Sequence, residues 1–276
     1  MSDARAALEA IGQLPDPEID LADAAIQLAR IDAPQADWHA ARDHLSVLAR
    51  DAVEMASEIR AGDLAGRLRV LATLMVARHR YGGDVDTYDD PRNANLIRVI
   101  ERRRGLPVAL GILWLHAARA VGWEAEGIDF PGHFLIALPV ESDSKVLLDP
   151  FAGGTSVDAR TLKRLLRKAE GPLAEPRPEL LDPMTNRAML LRLQNNILLR
   201  RLAADDGAGA LAACEDMLRI APEMASLWRE AGLLNRQLGR TAAAVDCLEH
   251  FLRLAPPGEA AERARLAIGE LRSRLE

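Results

Sequence analysis

The sequence predicts an α+β protein: a helical N-terminal region, then one buried helix with a small antiparallel sheet, then an all-helical repeat array. Three observations predict this class. Residues 108–121 are apolar nearly all round, two β-type segments follow them, and the C-terminal third repeats with a period of 34 residues. The 276 residues are 49% hydrophobic and 28% charged, which is the composition of a folded globular protein.

The first hundred residues contain helical patterns interrupted by helix-breaking residues. Residues 20–31 carry apolar side chains at i, i+3 and i+4 spacing, and Asp37 is placed to cap the following helix. A third amphipathic stretch, residues 64–83, ends in two glycines. The Asp90-Pro91 pair then breaks any helix, and a short helix is expected over 96–104.

The middle of the chain predicts the buried helix and the strands. A helix without a polar face is buried on all sides, and Pro107 suits its first turn. Residues 133–140 and 145–154 have the composition of strands, and the polar "ESDS" between them, residues 141–144, is expected to be a hairpin loop. Helix returns after Asp158, which is placed as a cap.

A proline-rich segment, residues 171–185, is expected to link two domains: residues 1–170 with the sheet, and residues 186–276 with the repeats. The period of 34 is that of tetratricopeptide repeats, and the final helix is expected to cover the open end of the array. The aligned positions are Gln194, Ile197, Arg201, Ala210, Cys214, Met217 and Pro222 with Trp228, Ala231, Asn235, Ala244, Leu248, Phe251 and Pro256.

Charge and composition exclude several classes of function. The net charge of −6 comes without a dominant basic stripe, so no nucleic-acid partner is expected. No signal-peptide pattern and no apolar stretch of membrane-spanning length occur, and Cys214 and Cys247 fit two reduced packing thiols, so a cytoplasmic protein without a membrane partner is expected. The histidines show no metal-ligand spacing. Neither a metal nor a cofactor is expected.

The candidate site is the pair His133 and Asp149. His133 opens one strand and Asp149 closes the next, so antiparallel pairing can bring them together on one face. A carboxylate bonded to one imidazole nitrogen fixes the tautomer of the ring and orients it, as in Cys-His-Asp catalysis. A buried histidine that has simply found a hydrogen-bond partner would give the same pattern, and the residues leave both interpretations open.

Three segments carry a family resemblance: "NANLIRVIERRRGLPVALGILWLHAARAVGW", "GIDFPGHFLIAL" and "LLDPFAGG". Together with "TNRAMLLRLQNNILLRR" and the repeats, they resemble the SirB family over nearly the whole chain. The resemblance implies a papain-like or transglutaminase-like core followed by tetratricopeptide repeats. It also implies that His133 and Asp149 match the histidine and aspartate of a Cys-His-Asp triad.

The cysteine of that triad does not carry over. The resemblance implies a nucleophile near Pro107 or Val108, yet residues 105–122 contain no Cys, Ser or Thr. A pseudoenzyme with an interaction or regulatory role is therefore the leading expectation. Two alternatives stay open: a hydrolase or acyl transferase that uses His133 and Asp149 with water as nucleophile, and a purely structural subunit.

Two further groups of residues are candidates for binding. Asn95, Glu101, Arg102 and Arg103 lie just before the buried helix and could form an anion site with its start at Pro107, or simply a capped, ion-paired turn. In the repeats, a protein or peptide partner is expected on the helical surface. The candidate contact residues there are Gln194, Arg201, Trp228 and Asn235.

Overall fold

The computed structural model describes residues 3–60, 62–140 and 144–273, and the chain forms two compact units. Residues 16–193 make one, here called the core unit. Residues 1–15 and 194–276 make the other, here called the repeat unit. The predicted α+β class is confirmed, because helices and small sheets form the core unit and helices alone form the described part of the repeat unit.

Most of the described helices lie where the periodicity predicts them, with aspartates at several starts, but the helix expected over 96–104 ends at Arg102 and the stretch over 64–83 ends in β1. Asp37 accepts a hydrogen bond from the Ala40 N–H and Asp158 from that of Thr161, so both predicted caps are confirmed. The α-helices are α1 (Asp3–Gln13), α2 (Leu21–Asp32), α3 (Trp38–Ala56), α4 (Leu64–Ala72), α5 (Leu96–Arg102), α6 (Pro107–Ala120), α7 (Ala159–Glu170), α8 (Asn186–Ala203), α9 (Gly207–Ile220), α10 (Ala225–Gln237), α11 (Thr241–Leu254) and α12 (Glu259–Arg272). A π-helical segment, Thr73–Arg78, continues α4.

Two sheets lie in the core unit. Strands β1 (Gly82–Gly83) and β2 (Arg104–Gly105) form a short parallel pair that the sequence did not indicate. The larger sheet is antiparallel in the order β3-β4-β5-β6, so the predicted hairpin is confirmed. Three residues of its predicted loop, 141–143, lie outside the described residues. The strands of this sheet are β3 (Glu126–Phe130), β4 (His133–Pro139), β5 (Lys145–Asp149) and β6 (Thr155–Ser156).

Helix α6 packs tightly against the larger sheet, as its apolar sequence predicts. A Cβ at Gly111 would lie 2.1 Å from the Phe134 ring of β4, so only glycine allows this close approach. The Trp114 ring likewise fills the space where a Cβ at Gly154 would lie. Leu166 of α7 joins a separate buried cluster with residues of β3, β4 and β5. Helices therefore cover the sheet, and polar side chains can lie at the ends of its strands.

The repeat unit buries the aligned positions that lie within α9 and α11. Ala210 and Cys214 of α9 correspond to Ala244 and Leu248 of α11, and all four are at most 1% exposed. Helix α12 packs on α11 through Ala264, Ile268 and Leu271.

Helix α1 also belongs to the repeat unit and packs on α9. Gly12 lets its backbone approach the Arg219 carbonyl, and Arg5 forms an ion pair with the buried Asp216 at 3.0 Å. No local pattern indicated this contact, because the two residues of the ion pair are 211 positions apart in the chain. The division into residues 1–170, 171–185 and 186–276 stays a prediction.

None of the helices in the described ranges is long and apolar enough to cross a membrane.

Candidate functional site

His133 and Asp149 meet at one end of the larger sheet. His133 Nε2 lies 2.8 Å from Asp149 Oδ2. Ile136 pairs with Leu148, so Asp149 comes opposite Leu135 in the continued register, and His133 is its diagonal neighbour on the same face. The two side chains are 18% and 13% exposed, so water reaches both only in part. The predicted hydrogen bond is present, while a catalytic role stays a prediction.

The Asp149 carboxylate is fixed by its own turn as well as by the histidine. Its Oδ1 accepts hydrogen bonds from the N–H groups of Phe151 and Ala152, at 2.9 and 3.1 Å. Because three donors engage the carboxylate, its position is set before any ligand arrives. Among the described residues, His133 Nδ1 has no hydrogen-bond partner. The pair therefore presents one free imidazole nitrogen.

Arg192 of α8 contacts the backbone of His133, and it was not identified as a site residue from the sequence. Its guanidinium donates to the His133 carbonyl at 2.7 Å, forms an ion pair with Asp129, and lies over the Phe134 ring. Burial lowers the pKa of Arg192. The only sequence signal was its place in the "TNRAMLLRLQNN" segment, which belongs to the resemblance.

Backbone contacts link the turn after Asp149 to the start of α6. The Gly83 N–H donates to the Phe151 carbonyl at 3.1 Å, and Gly83 pairs with Gly105, two residues before Pro107. The α6 start itself offers no reactive group, since Leu106, Pro107, Val108 and Ala109 are all apolar and buried. Leu106 makes no side-chain cap, and whether the histidine faces this helix end stays a prediction.

The polar residues before α6 do not gather at the α6 start. Arg102 donates to Asp84 and Asn93, at 2.8 Å each. Asn95 caps α5 and donates to the Ala29 carbonyl, and Glu101 forms an ion pair with Arg98. These partners fit the capped, ion-paired turn, and a role in anion binding stays a prediction.

Arg103 belongs to a different cluster, which sequence reasoning missed. Its guanidinium donates to His44 Nε2 at 2.6 Å and to the Tyr81 hydroxyl at 2.5 Å. Burial, Arg103 and His79 lower the pKa of His44 to about 4, and burial raises the pKa of Tyr81 to about 12. His79 bonds Asp51 at 2.8 Å beside them. Across the described ranges, no three His, Cys, Asp or Glu side chains are grouped to hold a metal.

Two of the four candidate contact residues of the repeats are buried. Gln194 and Asn235 are 5% and 4% exposed, and Asn235 donates to the Ala231 carbonyl of its own helix. Arg201 pairs with Asp206, while Trp228 is half-buried and stacks on His250 with centroids 4.0 Å apart. A position shared between the repeats can therefore be a packing position and not a surface position. Partner binding by these residues stays a prediction.

Comparison with known proteins identifies both parts of the chain. The sequence profile of the transglutaminase-like superfamily matches residues 39–195, and a tetratricopeptide repeat profile matches residues 197–269. A UPF0162 protein of Xylella fastidiosa strain Temecula1 is 35% identical over 179 residues, which are 64% of this chain and 63% of that protein. A second strain, 9a5c, has a UPF0162 protein 36% identical over 181 residues, again 64% of this chain and 63% of that protein.

A UPF0162 protein of Vibrio cholerae matches more of the length, with 28% identity over 257 residues, 92% of this chain and 93% of that protein. The match to the two Xylella proteins spans less than two thirds of their length. The transglutaminase-like profile covers more than half of this chain, from α3 to the first half of α8. The chain therefore belongs to the transglutaminase-like superfamily, and tetratricopeptide repeats follow its superfamily domain.

Proposed function

We propose that this protein is a cytoplasmic pseudoenzyme of the SirB type. In this proposal the transglutaminase-like domain has lost thiol catalysis, and the repeats bind a protein or peptide partner to recruit or regulate it. One observation carries the proposal: the α6 start, where the resemblance implies the nucleophile, consists of buried apolar residues. Without a tethered nucleophile, the histidine has no thiol to activate.

The two cysteines support the same conclusion, because both are held as neutral thiols inside the repeat unit. Cys214 is fully buried and donates to the Leu227 carbonyl at 3.4 Å, and burial raises its pKa to about 12. Burial also raises the pKa of Cys247, which is half-buried beside Asn235. Since the thiolate is the nucleophilic form, neither side chain is prepared for attack near pH 7.

The repeats offer an aromatic and cationic surface for a partner. Trp228 of α10 stacks on His250 of α11, and Arg253 donates to the His250 ring at 2.5 Å. The Trp228 indole is anchored by its bond to the Pro222 carbonyl, so the stack is rigid. Tryptophan and arginine are enriched among residues that dominate binding energy, and a rigid stack loses little entropy on association.

The test measures catalysis and binding on the same full-length protein. Acyl transfer from a glutamine peptide and hydrolysis of a peptide library are assayed with and without iodoacetamide, beside His133→Ala. We expect no turnover in any sample. A displayed peptide library is then selected on the wild type, and recovered peptides are measured against Trp228→Ala and against a matched control, Trp123→Ala in the core unit.

Binding that Trp228→Ala weakens at least about tenfold, while Trp123→Ala leaves it unchanged, would support the repeat surface as the binding site. Turnover abolished by alkylation would overturn the proposal, because a cysteine would then be reacting. Failure to recover any peptide would count against a peptide partner.

The second candidate function is a hydrolase or acyl transferase in which water is the nucleophile. The observation that favours it is the free Nδ1 of His133, opposite the nitrogen that Asp149 holds. An imidazole oriented in this way can take a proton from water. Turnover that survives iodoacetamide and disappears in His133→Ala would establish this function in place of the pseudoenzyme.

A further inference from the structure

The cluster around Arg103 contains a cation that its neighbours do not neutralise. Among the described residues, no carboxylate lies within salt-bridge distance of the Arg103 guanidinium, and its side-chain partners are His44 and Tyr81. Asp51, the nearby acid, is engaged by Arg78 and His79. A half-buried guanidinium that bonds only neutral groups retains its full charge for a ligand.

The hydrogen bonds also fix how the histidine is protonated. A guanidinium only donates, so His44 Nε2 must accept from Arg103. The Tyr81 hydroxyl accepts from Arg103 and lies 2.8 Å from the same nitrogen. The His44 proton is therefore on Nδ1, and the second terminal nitrogen of Arg103 lies 3.5 Å from that ring nitrogen.

A cavity of about 280 Å³ opens beside these two side chains. His44 and Arg103 line it together with Asp37, which caps α3, and Glu101, which is ion-paired with Arg98, and the remaining lining is apolar. One wall thus carries a positive charge with hydrogen-bond donors, and acidic groups also border the space. A simple anion would meet those acids, whereas a ligand with both charges would be complementary to the whole lining.

Irregular backbone holds this cluster in place. The π-helical segment Thr73–Arg78 leads into His79 and Tyr81, and π-helical turns are frequent at functional sites. Arg80 and Arg103 both have a φ of 60°, which is unusual for a residue other than glycine. Such conformations persist only where the surrounding structure enforces them, and they concentrate at ligand sites.

We propose that this cavity binds a small zwitterion of the amino-acid class, with its carboxylate on Arg103 and its ammonium group near Asp37 and Glu101. The volume fits this size, since it equals that of about nine water molecules and is below the usual range for larger organic ligands. The site is separate from the His133–Asp149 pair and does not depend on the function proposed above.

The experiment is saturation-transfer NMR on the full-length protein, with a mixture of the standard L-amino acids as probe. Acetate and ethylammonium serve as single-charge probes. We expect at least one amino acid to bind, and to bind at least about tenfold more tightly than either single-charge probe. Arg103→Gln should weaken that amino acid at least about tenfold, because it removes the charge that faces the carboxylate.

Arg104→Gln is the matched control, since this neighbouring arginine is exposed and donates only to backbone carbonyls. It should leave binding unchanged. If Arg103→Gln does not fold, Glu101→Gln decides instead, because Glu101 is exposed and its loss should weaken the amino acid without weakening acetate. Absence of binding, equal binding of acetate, or binding that survives both variants would overturn the proposal.

Discussion

His133 and His44 lie in the same unit, and their partners have opposite charges. His133 bonds a carboxylate at the end of a regular antiparallel hairpin. His44 bonds a guanidinium and a phenol beside a π-helical segment and two residues with positive φ. A carboxylate partner prepares an imidazole to accept a proton, whereas a guanidinium keeps it neutral. The same side chain is therefore oriented by a carboxylate in one place and by a guanidinium in the other.

The two sites also differ in the groups that they contain. The His133 site keeps the orienting carboxylate and lacks a nucleophile at the α6 start. The His44 site needs no nucleophile, because its function would rest on a fixed charge and a cavity. The two sites lie in one superfamily domain and share none of the contacts described above, so different substitutions test them.

Asp149→Ala should have the largest effect on stability. It leaves the N–H groups of Phe151 and Ala152 and the His133 ring without their partner, so we expect the free energy of unfolding to fall by about 2–4 kcal/mol. Urea denaturation followed by circular dichroism measures this loss.

Asp149→Asn is the control, since its amide oxygen can still accept from the turn. It should recover at least half of the loss. If alanine and asparagine cost the same, the turn contributes little, and the bond to His133 accounts for the effect.

Tyr81→Phe should have an intermediate effect, on the other cluster. Tyr81 is 2% exposed, and its hydroxyl accepts from Arg103 and bonds His44. Removing the hydroxyl leaves a partly buried donor and acceptor with fewer partners, which should cost about 1–2 kcal/mol. Urea denaturation of Tyr81→Phe beside Tyr88→Phe, an exposed tyrosine, checks this value. Equal stability of the two variants would mean that the cluster does not hold Arg103 in place.

Sequence reasoning predicted the regular part of this comparison. The strand pattern from 133 to 149 and the resemblance were enough to bring His133 and Asp149 together, because a hairpin joins residues that are close in the chain. The apolar run of α6 predicted its burial for the same local reason. Periodicity at 34 residues likewise predicted which positions of α9 and α11 are buried.

The irregular part could not be predicted from the sequence. His44, Tyr81 and Arg103 come from three separated segments, and no pattern in any of them indicates the others. These side chains are brought together beside a π-helical turn and two arginines with positive φ, and residue preferences do not predict either feature. Arg192 reaches the His133 carbonyl across 59 residues for the same reason. Contacts that depend on the tertiary structure could not be predicted, and of these residues only Arg103 was named as a site candidate from the sequence.

The smallest effect on stability is expected from a change in pH, through the protonation of His44. The folded protein holds the pKa of His44 at about 4, against 6.5 in the unfolded chain. Between these values the unfolded chain binds the proton and the folded protein does not, so acidification favours unfolding. The contribution of neutral His44 is thus complete above pH 6.5 and is lost as the pH falls towards 4. Since the ring is partly exposed, we expect only about 1 kcal/mol over this window.

His44→Gln tests this expectation, because glutamine can accept from Arg103 and carries no titrating group. The free energy of unfolding, measured by urea denaturation at intervals from pH 7 to pH 4, should fall less steeply in His44→Gln than in the wild type. His39→Gln, on the same helix but outside the cluster, should retain the wild-type slope. If His44→Gln also retains it, Arg103 does not hold His44 neutral, and the distinction between the two histidines would have to rest on geometry alone.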